Sequence, residues 1–293
     1  MTAKTIIWPA TDAFTRRELF IWFAAIIFAT KFFQSVLQVS GLSFQDSLFV
    51  RAAGIGAFQL LAWFAVFRLL AREPSRDPAT HQDFVVIGLL GIFNIALNIM
   101  NAVPAQRVIW IVATLSAIYI YLMSPKGSYS RAAATVLLAL CVQSLWGPIL
   151  FSLFAFDLLR ADAAIVGAFL DLTQSGYAWH DNVIATQGHS IEIYSGCSSF
   201  HNVSLAMLCW VTLTKLTRPI WIATDFIFGA AACAVMIAVN VTRLYVAALS
   251  YGSYEYWHNG DGAHIFQVGV SVIILLICLW GCSFSDTRHE HTA

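Results

Sequence analysis

Six cysteines occur in the chain, and Cys197 alone lies outside the apolar runs. It sits in IEIYSGCSSFHNV, residues 191–203, where a polar loop runs into a hydrophobic helix. Two further residue types would make such a thiol useful: Arg243, within AVNVTRLYVAAL, and a histidine, either His258 or His264. The thiolate is the nucleophilic form, and a neighbouring histidine or cation lowers the thiol pKa. A position just before a helix N-terminus would add the unpaired amides and the helix dipole. Arginine stays charged, so Arg243 could hold a developing oxyanion or a substrate carboxylate. A histidine could protonate a leaving amine and then deprotonate an incoming nucleophile. The chemistry that fits this set is acyl transfer.

Each residue also has a plainer reading. A lone cysteine at a span boundary is more often structural than catalytic. An arginine inside a membrane is costly and functional by default, yet one near a helix end can simply snorkel. His180, His189 and His201 read as loop polar groups, and Trp179, Tyr254, Tyr256 and Trp257 as an interfacial aromatic belt. Cys141, Cys209, Cys233, Cys278 and Cys282 fall in or at the end of apolar runs, where cysteine behaves as a small hydrophobe.

The elements that must position the three residues are set by composition. Hydrophobic residues make up 59% of 293 and charged residues 11%, with a mean hydropathy of +0.73. Soluble domains carry about 25% charged residues. Apolar runs of about 20 residues recur, the length that crosses a hydrocarbon core. The predicted fold is therefore an all-α, polytopic integral membrane bundle of about eight spans, with one domain over residues 1–293. The runs cover 19–37, 48–70, 84–103, 108–122, 132–156, 200–216, 221–249 and 265–282. The first run is too long for a signal peptide. Zero net charge gives no basic footprint, so no nucleic-acid partner is expected.

Orientation follows from Lys and Arg near the span ends. With both termini in the cytoplasm, the inside collects Lys4, Arg16, Arg17, Arg68, Arg72, Arg76, Lys126, Arg131, Lys215, Arg218 and Arg288. The outside receives Arg107, Arg160 and Arg243, while Lys31 and Arg51 lie within or beside the first two spans. Two long outer loops then carry the chemistry. One is 157–199, with His180, Asp181, His189, Glu192 and Cys197; the other is 250–264, with Glu255, His258, Asp261 and His264. Residues 162–172 have helical apolar spacing and would lie on the membrane surface. The alternating stretch after Gly176 predicts a small extended or hairpin element leading to the thiol.

IEIYSGCSSF, then NVTRL in a late span, then HNGDGAHIF opening the last one, resembles the exosortase/archaeosortase family of membrane cysteine transpeptidases. Asn240-Val241-Thr242-Arg243 matches that family's N-x-x-R motif, and His258 with Gly262 and Phe266 matches its histidine motif. The resemblance covers about the last two-thirds of the chain. It implies Cys197, Arg243 and His258 as the catalytic set, on the outer face of the cytoplasmic (inner) membrane, with no cofactor or metal. It implies substrates that are secreted proteins bearing a C-terminal motif, a transmembrane helix and a basic tail, docked sideways within the bilayer. Cleavage would pass through a thioester acyl-enzyme, resolved by an acceptor or by water. Family members commonly carry a glycine two residues after the cysteine, where this chain has Ser199.

Two other function classes compete. One is a metal-dependent membrane hydrolase using His180, His189, His258 and His264 with Asp261 or Glu255, although no H-E-x-x-H pair is present. The other is a transporter or non-enzymatic scaffold, against which ionisable residues in mid-span are scarce.

Overall fold

The computed structural model describes residues 14–37, 56–74, 77–100, 105–173, 176–186 and 189–290. Lys4, Arg51, Arg76, the first part of the second apolar run and the end of the third lie outside these residues. The chain forms two compact units. One comprises Met1–Leu145 with Lys215–Ile220, the other Trp146–Thr214 with Trp221–Ala293.

The first unit contains α1 (Arg16–Leu37), α2 (Ala57–Arg72), α3 (His81–Met100), α4 (Ala105–Met123) and the first part of α5 (Tyr129–Thr173). Its interior is lined by small residues: Ala62 and Ala65 of α2, Ala113 and Ala117 of α4, and Ala132 to Ala134 of α5 are all at most 1% exposed. Small side chains let helix backbones approach where lipid offers no hydrophobic drive. Phe28, Trp63 and Phe67 close the α1–α2 contact, with ring centroids 5.4 to 6.1 Å apart.

A polar knot holds the helix starts. Thr80 and Asp83 form a reciprocal cap at α3, as Thr15 and Glu18 do at α1. The fully buried Asp83 carboxylate also accepts from Arg16 Nε at 3.0 Å and from the Tyr119 hydroxyl at 2.6 Å. Three helices therefore share one carboxylate. Glu73 accepts the Ser130 amide at 2.8 Å and so caps the start of α5.

α5 passes through a π-turn at Val142–Trp146 and, in the second unit, a kink at Phe154, whose φ and ψ are not helical, before ending at Thr173. Three short strands follow, β1 (Ala178–His180), β2 (Val183–Thr186) and β3 (His189–Glu192), in antiparallel order β1-β2-β3. Then come α6 (Ser199–Thr217), α7 (Ala223–Ala248), α8 (Tyr251–His258) and α9 (Asp261–Glu290). Ile184 pairs with Ile191 across β2 and β3, and both face inward. They meet Ala163, Val166 and Leu170 of α5 and Val241, Leu244 and Ala248 of α7, with Cys197 in the same cluster.

Two sequence expectations are corrected here. Residues 157–173 are helix and not loop, and 162–172 lies in the segment of α5 beyond its kink at Phe154. Asp157 and Arg160 interrupt the hydropathy but are exposed on a continuing α5, whose buried Ala163, Val166, Gly167 and Leu170 recur at helical spacing. That apolar stripe packs on the sheet and α7 rather than on lipid headgroups. Likewise 250–264 is mostly helix, being α8 and the first turn of α9. The hairpin element ahead of the thiol is present, as a three-stranded sheet.

Among the described residues the regular structure is helical apart from that sheet, as an all-α membrane protein requires. Among the described residues, three helices can cross a membrane by length and composition, Tyr129–Thr173, Ala223–Ala248 and Asp261–Phe284, and Arg107–Met123 is a shorter apolar one. Wherever the structure describes the eight predicted runs, each is helical apart from Gly56 in the second, the first two residues of the seventh and Leu249 at the seventh's end.

The shared carboxylate makes a prediction. Asp83→Ala should lower the stability of the detergent-purified protein by on the order of 3 kcal/mol, since it strands Arg16 and the Tyr119 hydroxyl. Asp83→Asn should cost less. An unchanged thermal unfolding midpoint for Asp83→Ala would show that the knot does not hold the unit.

Candidate active site

The thiol is placed by its own backbone. Ile193, fully buried, closes the end of the sheet by donating its amide to the Asn182 carbonyl at 2.9 Å. The Asn182 side-chain amide returns a bond to the Ile193 carbonyl at 3.1 Å. From that anchor Ser195–Cys197 makes a single 3-10 turn, and Ser199 starts α6. The amides of residues 197 to 200 are engaged. Cys197 donates to the Tyr194 carbonyl and Ser198 to the Ser195 carbonyl. Ser199 donates to the Asp162 carboxylate at 2.9 Å, and Phe200 to the Ser198 hydroxyl at 3.2 Å.

This corrects the helix-terminus expectation. The amides of residues 197 to 200 already have acceptors, and a carboxylate rather than a substrate occupies the positive end of α6. Asp162 is 5% exposed and comes from α5. Nothing in the apolar spacing of residues 162–172 distinguished it as a cap.

Asn240 and Arg243 lie one turn apart on α7. Asn240 is fully buried, and its side-chain amide donates to the Cys197 carbonyl at 2.9 Å and to the Ser199 hydroxyl at 3.1 Å. Its carbonyl oxygen accepts from the Asn202 side chain at 3.1 Å. Ser199 thus has an ordinary backbone and a bonded hydroxyl. Among the described residues only Asp181 shows a positive φ outside glycine. The turn does not need the glycine that family members commonly carry there. Arg243, half-buried, lies against the Cys197 sulfur, and its guanidinium carbon sits 4.4 Å from the Phe266 ring centroid. Arg243, Trp257 and Phe266 line a cavity of about 310 Å³.

The histidine comes from α8, a short helix capped by Ser250. His258 Nε2 is 3.2 Å from Cys197 Sγ. The Tyr254 ring, one turn earlier, stacks on the imidazole at 4.9 Å and 22°. Burial first, and then the Cys197 charge, push the Tyr254 phenol up from its ordinary value, so the ring facing His258 stays neutral. Gly262 has to be glycine: a Cβ there would sit 2.6 Å from the Tyr256 ring and 2.8 Å from the Tyr256 carbonyl oxygen. That close approach folds α9 back against α8.

The structure thus brings Cys197, Arg243 and His258 together. His264 is exposed on the first turn of α9, and no hydrogen bond joins it to the sulfur. His180 pairs with Asp181 at 3.1 Å, and His189 Nδ1 lies 2.8 Å from the Thr186 hydroxyl, both in the sheet. Among the described residues no group of three or more His, Cys, Asp or Glu is placed to hold a metal ion. The ligand set of the metal-hydrolase alternative is therefore not assembled. Of the aromatic residues expected as an interfacial belt, Trp179 packs on Gly167, where a Cβ would lie 2.6 Å from its ring, and Tyr254 and Trp257 pack at the site.

Asn240→Ala would leave the Cys197 carbonyl and the Asn202 amide unpaired, at a cost of about 1–3 kcal/mol. Amide hydrogen exchange across residues 194–202 should accelerate roughly ten-fold in that variant, and in Asp162→Ala, with helices elsewhere unaffected. Exchange in this segment at the unmutated rate would mean that neither residue holds the turn.

Comparison with known proteins bears on the same region. The family model for transmembrane exosortases matches residues 50–277, which include every residue of this cluster. No curated protein and no solved structure matches the chain. With more than half its length matched, and the N-x-x-R and histidine motifs meeting at one thiol, the chain belongs to the transmembrane exosortase family.

Proposed function

We propose that the protein is a cysteine transpeptidase or protease that cleaves a C-terminal sorting tag from secreted proteins, with Cys197 as nucleophile, His258 as acid and base, and Arg243 as the electrostatic partner. The observation that carries this reading is the 3.2 Å contact between Cys197 Sγ and His258 Nε2 with Arg243 against the same sulfur. Family membership supplies the coarser statement, a membrane enzyme of the sorting transpeptidase type.

The chemistry runs in two halves. The Cys197 proton moves to His258 Nε2, and the thiolate attacks the carbonyl carbon of the scissile peptide. The tetrahedral oxyanion collapses, the C–N bond breaks, and His258 returns its proton to the leaving amine. A thioester to Cys197 remains. His258 then deprotonates an acceptor amine, hydroxyl or water, whose attack releases the product and restores the thiol. Because the backbone amides at 197 to 200 are engaged, oxyanion stabilisation falls to the Arg243 guanidinium. The cavity beside Arg243, Trp257 and Phe266 gives the substrate peptide room there.

In this reading the protein spans the cytoplasmic (inner) membrane about eight times with both termini in the cytoplasm. The site faces outward, and the substrate's transmembrane helix approaches through the bilayer. The positive-inside bias of Lys and Arg supports that orientation. A single integral domain is proposed, since the family match runs through both compact units.

Processing of a tagged secreted substrate in cells tests the proposal. Cys197→Ala should abolish it, and Arg243→Ala and His258→Ala should each lower it by roughly 10²-fold or more with the protein still inserted. His264→Ala should process normally. Undiminished processing by Cys197→Ala would sink the mechanism, and loss in His264→Ala but not His258→Ala would move the acid–base role to the other histidine.

A further inference from the structure

His258 turns one nitrogen to the thiol and the other to a neighbour. Its Nδ1 is 3.0 Å from the side-chain oxygen of Asn259, the residue that ends α8. The Asn259 side-chain nitrogen in turn donates to Glu255 Oε2 at 3.0 Å. Four side chains therefore stand in a row: Glu255, Asn259, His258 and Cys197.

The direction of every bond in that row follows from its far end. A carboxylate only accepts, so the Asn259 group facing Glu255 has to be the NH₂. The amide oxygen then faces the imidazole, and an oxygen facing Nδ1 requires a proton on Nδ1. A neutral imidazole carries one proton, so its Nε2 is left as an acceptor, 3.2 Å from the sulfur. That is the tautomer that can take the Cys197 proton. With the amide reversed, Nδ1 would be the acceptor and Nε2–H would point at the thiol, where it could not act as a base.

We infer that Asn259 is a positioning residue: held by Glu255, it fixes the tautomer and ring plane of His258 so that Nε2 accepts the Cys197 proton. The inference rests on the proposed role of Cys197 and His258 and adds two residues to it. Transferring the proton leaves an imidazolium whose Nδ1–H still points at the Asn259 oxygen, so the same bond strengthens as the thiolate forms. Asn259 carries no charge and takes no proton. The charged and titratable groups around the imidazole are Cys197 from the turn before α6, Arg243 of α7 through the same sulfur, and Tyr254 and Glu255 of α8. Tyr254 stacks on the ring face and limits its rotation, while Asn259 sets which nitrogen bears the proton.

Sequence alone ranked Glu255 only as a metal-hydrolase ligand and did not weigh Asn259. The i, i+4 spacing of 255 and 259 puts them on one face at the end of α8, which is why a carboxylate can reach the amide.

Alkylation of Cys197 by iodoacetamide tests the inference in the full-length protein in detergent. The Cys197 peptide is followed by mass spectrometry from about pH 5 to about pH 10. Asn259→Ala should move the midpoint of the pH profile upward by about one unit, a roughly ten-fold loss of thiolate near neutrality. Asn259→Asp, which still offers Nδ1 an acceptor, should keep the original midpoint or lower it. Glu255→Ala, which frees the amide to turn, should fall between the two.

Processing should follow the same order. An unmoved midpoint in Asn259→Ala overturns the inference, and so do equal losses in Asn259→Ala and Asn259→Asp, because the acceptor oxygen would then not matter. If the thiol profile shifts as expected but Cys197→Ala still processes substrate, the fault lies with the proposed nucleophile and not with the tautomer relay.

Discussion

The buried amide of Asn240 is the tie on which the site depends. A polar loop meets an apolar helix at residues 195–200, where Cys197, Ser198 and Ser199 are buried and their polar groups need partners within the protein. Asn240 answers this from α7 by donating to the Cys197 carbonyl and the Ser199 hydroxyl while accepting from Asn202. Being fully buried, it can satisfy its own polar atoms only if the thiol-bearing turn sits where it does. Arg243 is one helical turn further along, so the same rigid helix fixes both the backbone of the thiol and the cation beside its sulfur. The pairing of Asn and Arg at i, i+3 is thus a geometric requirement and not two separate contributions.

The two carboxylates near the site do opposite work. Asp162 spends its charge on the Ser199 amide and the positive end of α6, which a free thiolate would otherwise have used. Negative charge near a thiol disfavours its ionisation. Arg243 counters this directly at the sulfur, and the imidazole offers a base at hydrogen-bond distance. Glu255 stays two residues removed, acting on the amide of Asn259. Ionisation of the proposed nucleophile is therefore assigned to side chains that can be aimed, while the local backbone is committed to holding the turn.

Much of this was legible in the sequence because residue type and context agreed. Cys197 stood outside the apolar runs, and Arg243 stood inside one next to an asparagine at i−3. Both were readable from hydropathy and spacing. The helical runs were readable for the same reason, since the 20-residue period of a membrane helix is hard to disguise. What hydropathy could not see was the helix beyond the Phe154 kink: Asp157 and Arg160 ended the apolar run, yet helix runs on to Thr173. The motif's spacing favoured His258 over His264, but it could not show the packing of Gly262 against Tyr256 that turns α9 back on α8. The carboxylate cap was invisible too. Asp162 is 37 residues from the amide it serves, and no one-dimensional pattern links them.

The accounting of amides carries the last step. Many acyl-transfer sites leave backbone N–H groups beside the nucleophile to receive the oxyanion. Here residues 197 to 200 have theirs engaged, so in the proposed reaction the charge that builds on the substrate oxygen is assigned to Arg243. Its surroundings suit that duty. It is half-buried, flanked by the Phe266 ring at 4.4 Å, and open on one side to a cavity of about 310 Å³. A planar guanidinium can keep its ring contact while directing N–H groups at both the sulfur and a nearby oxygen. An ammonium, a point charge on a flexible stem, has no plane with which to hold that orientation. The thiol turn can be tightly tied down because the developing negative charge is handled by a side chain of another helix.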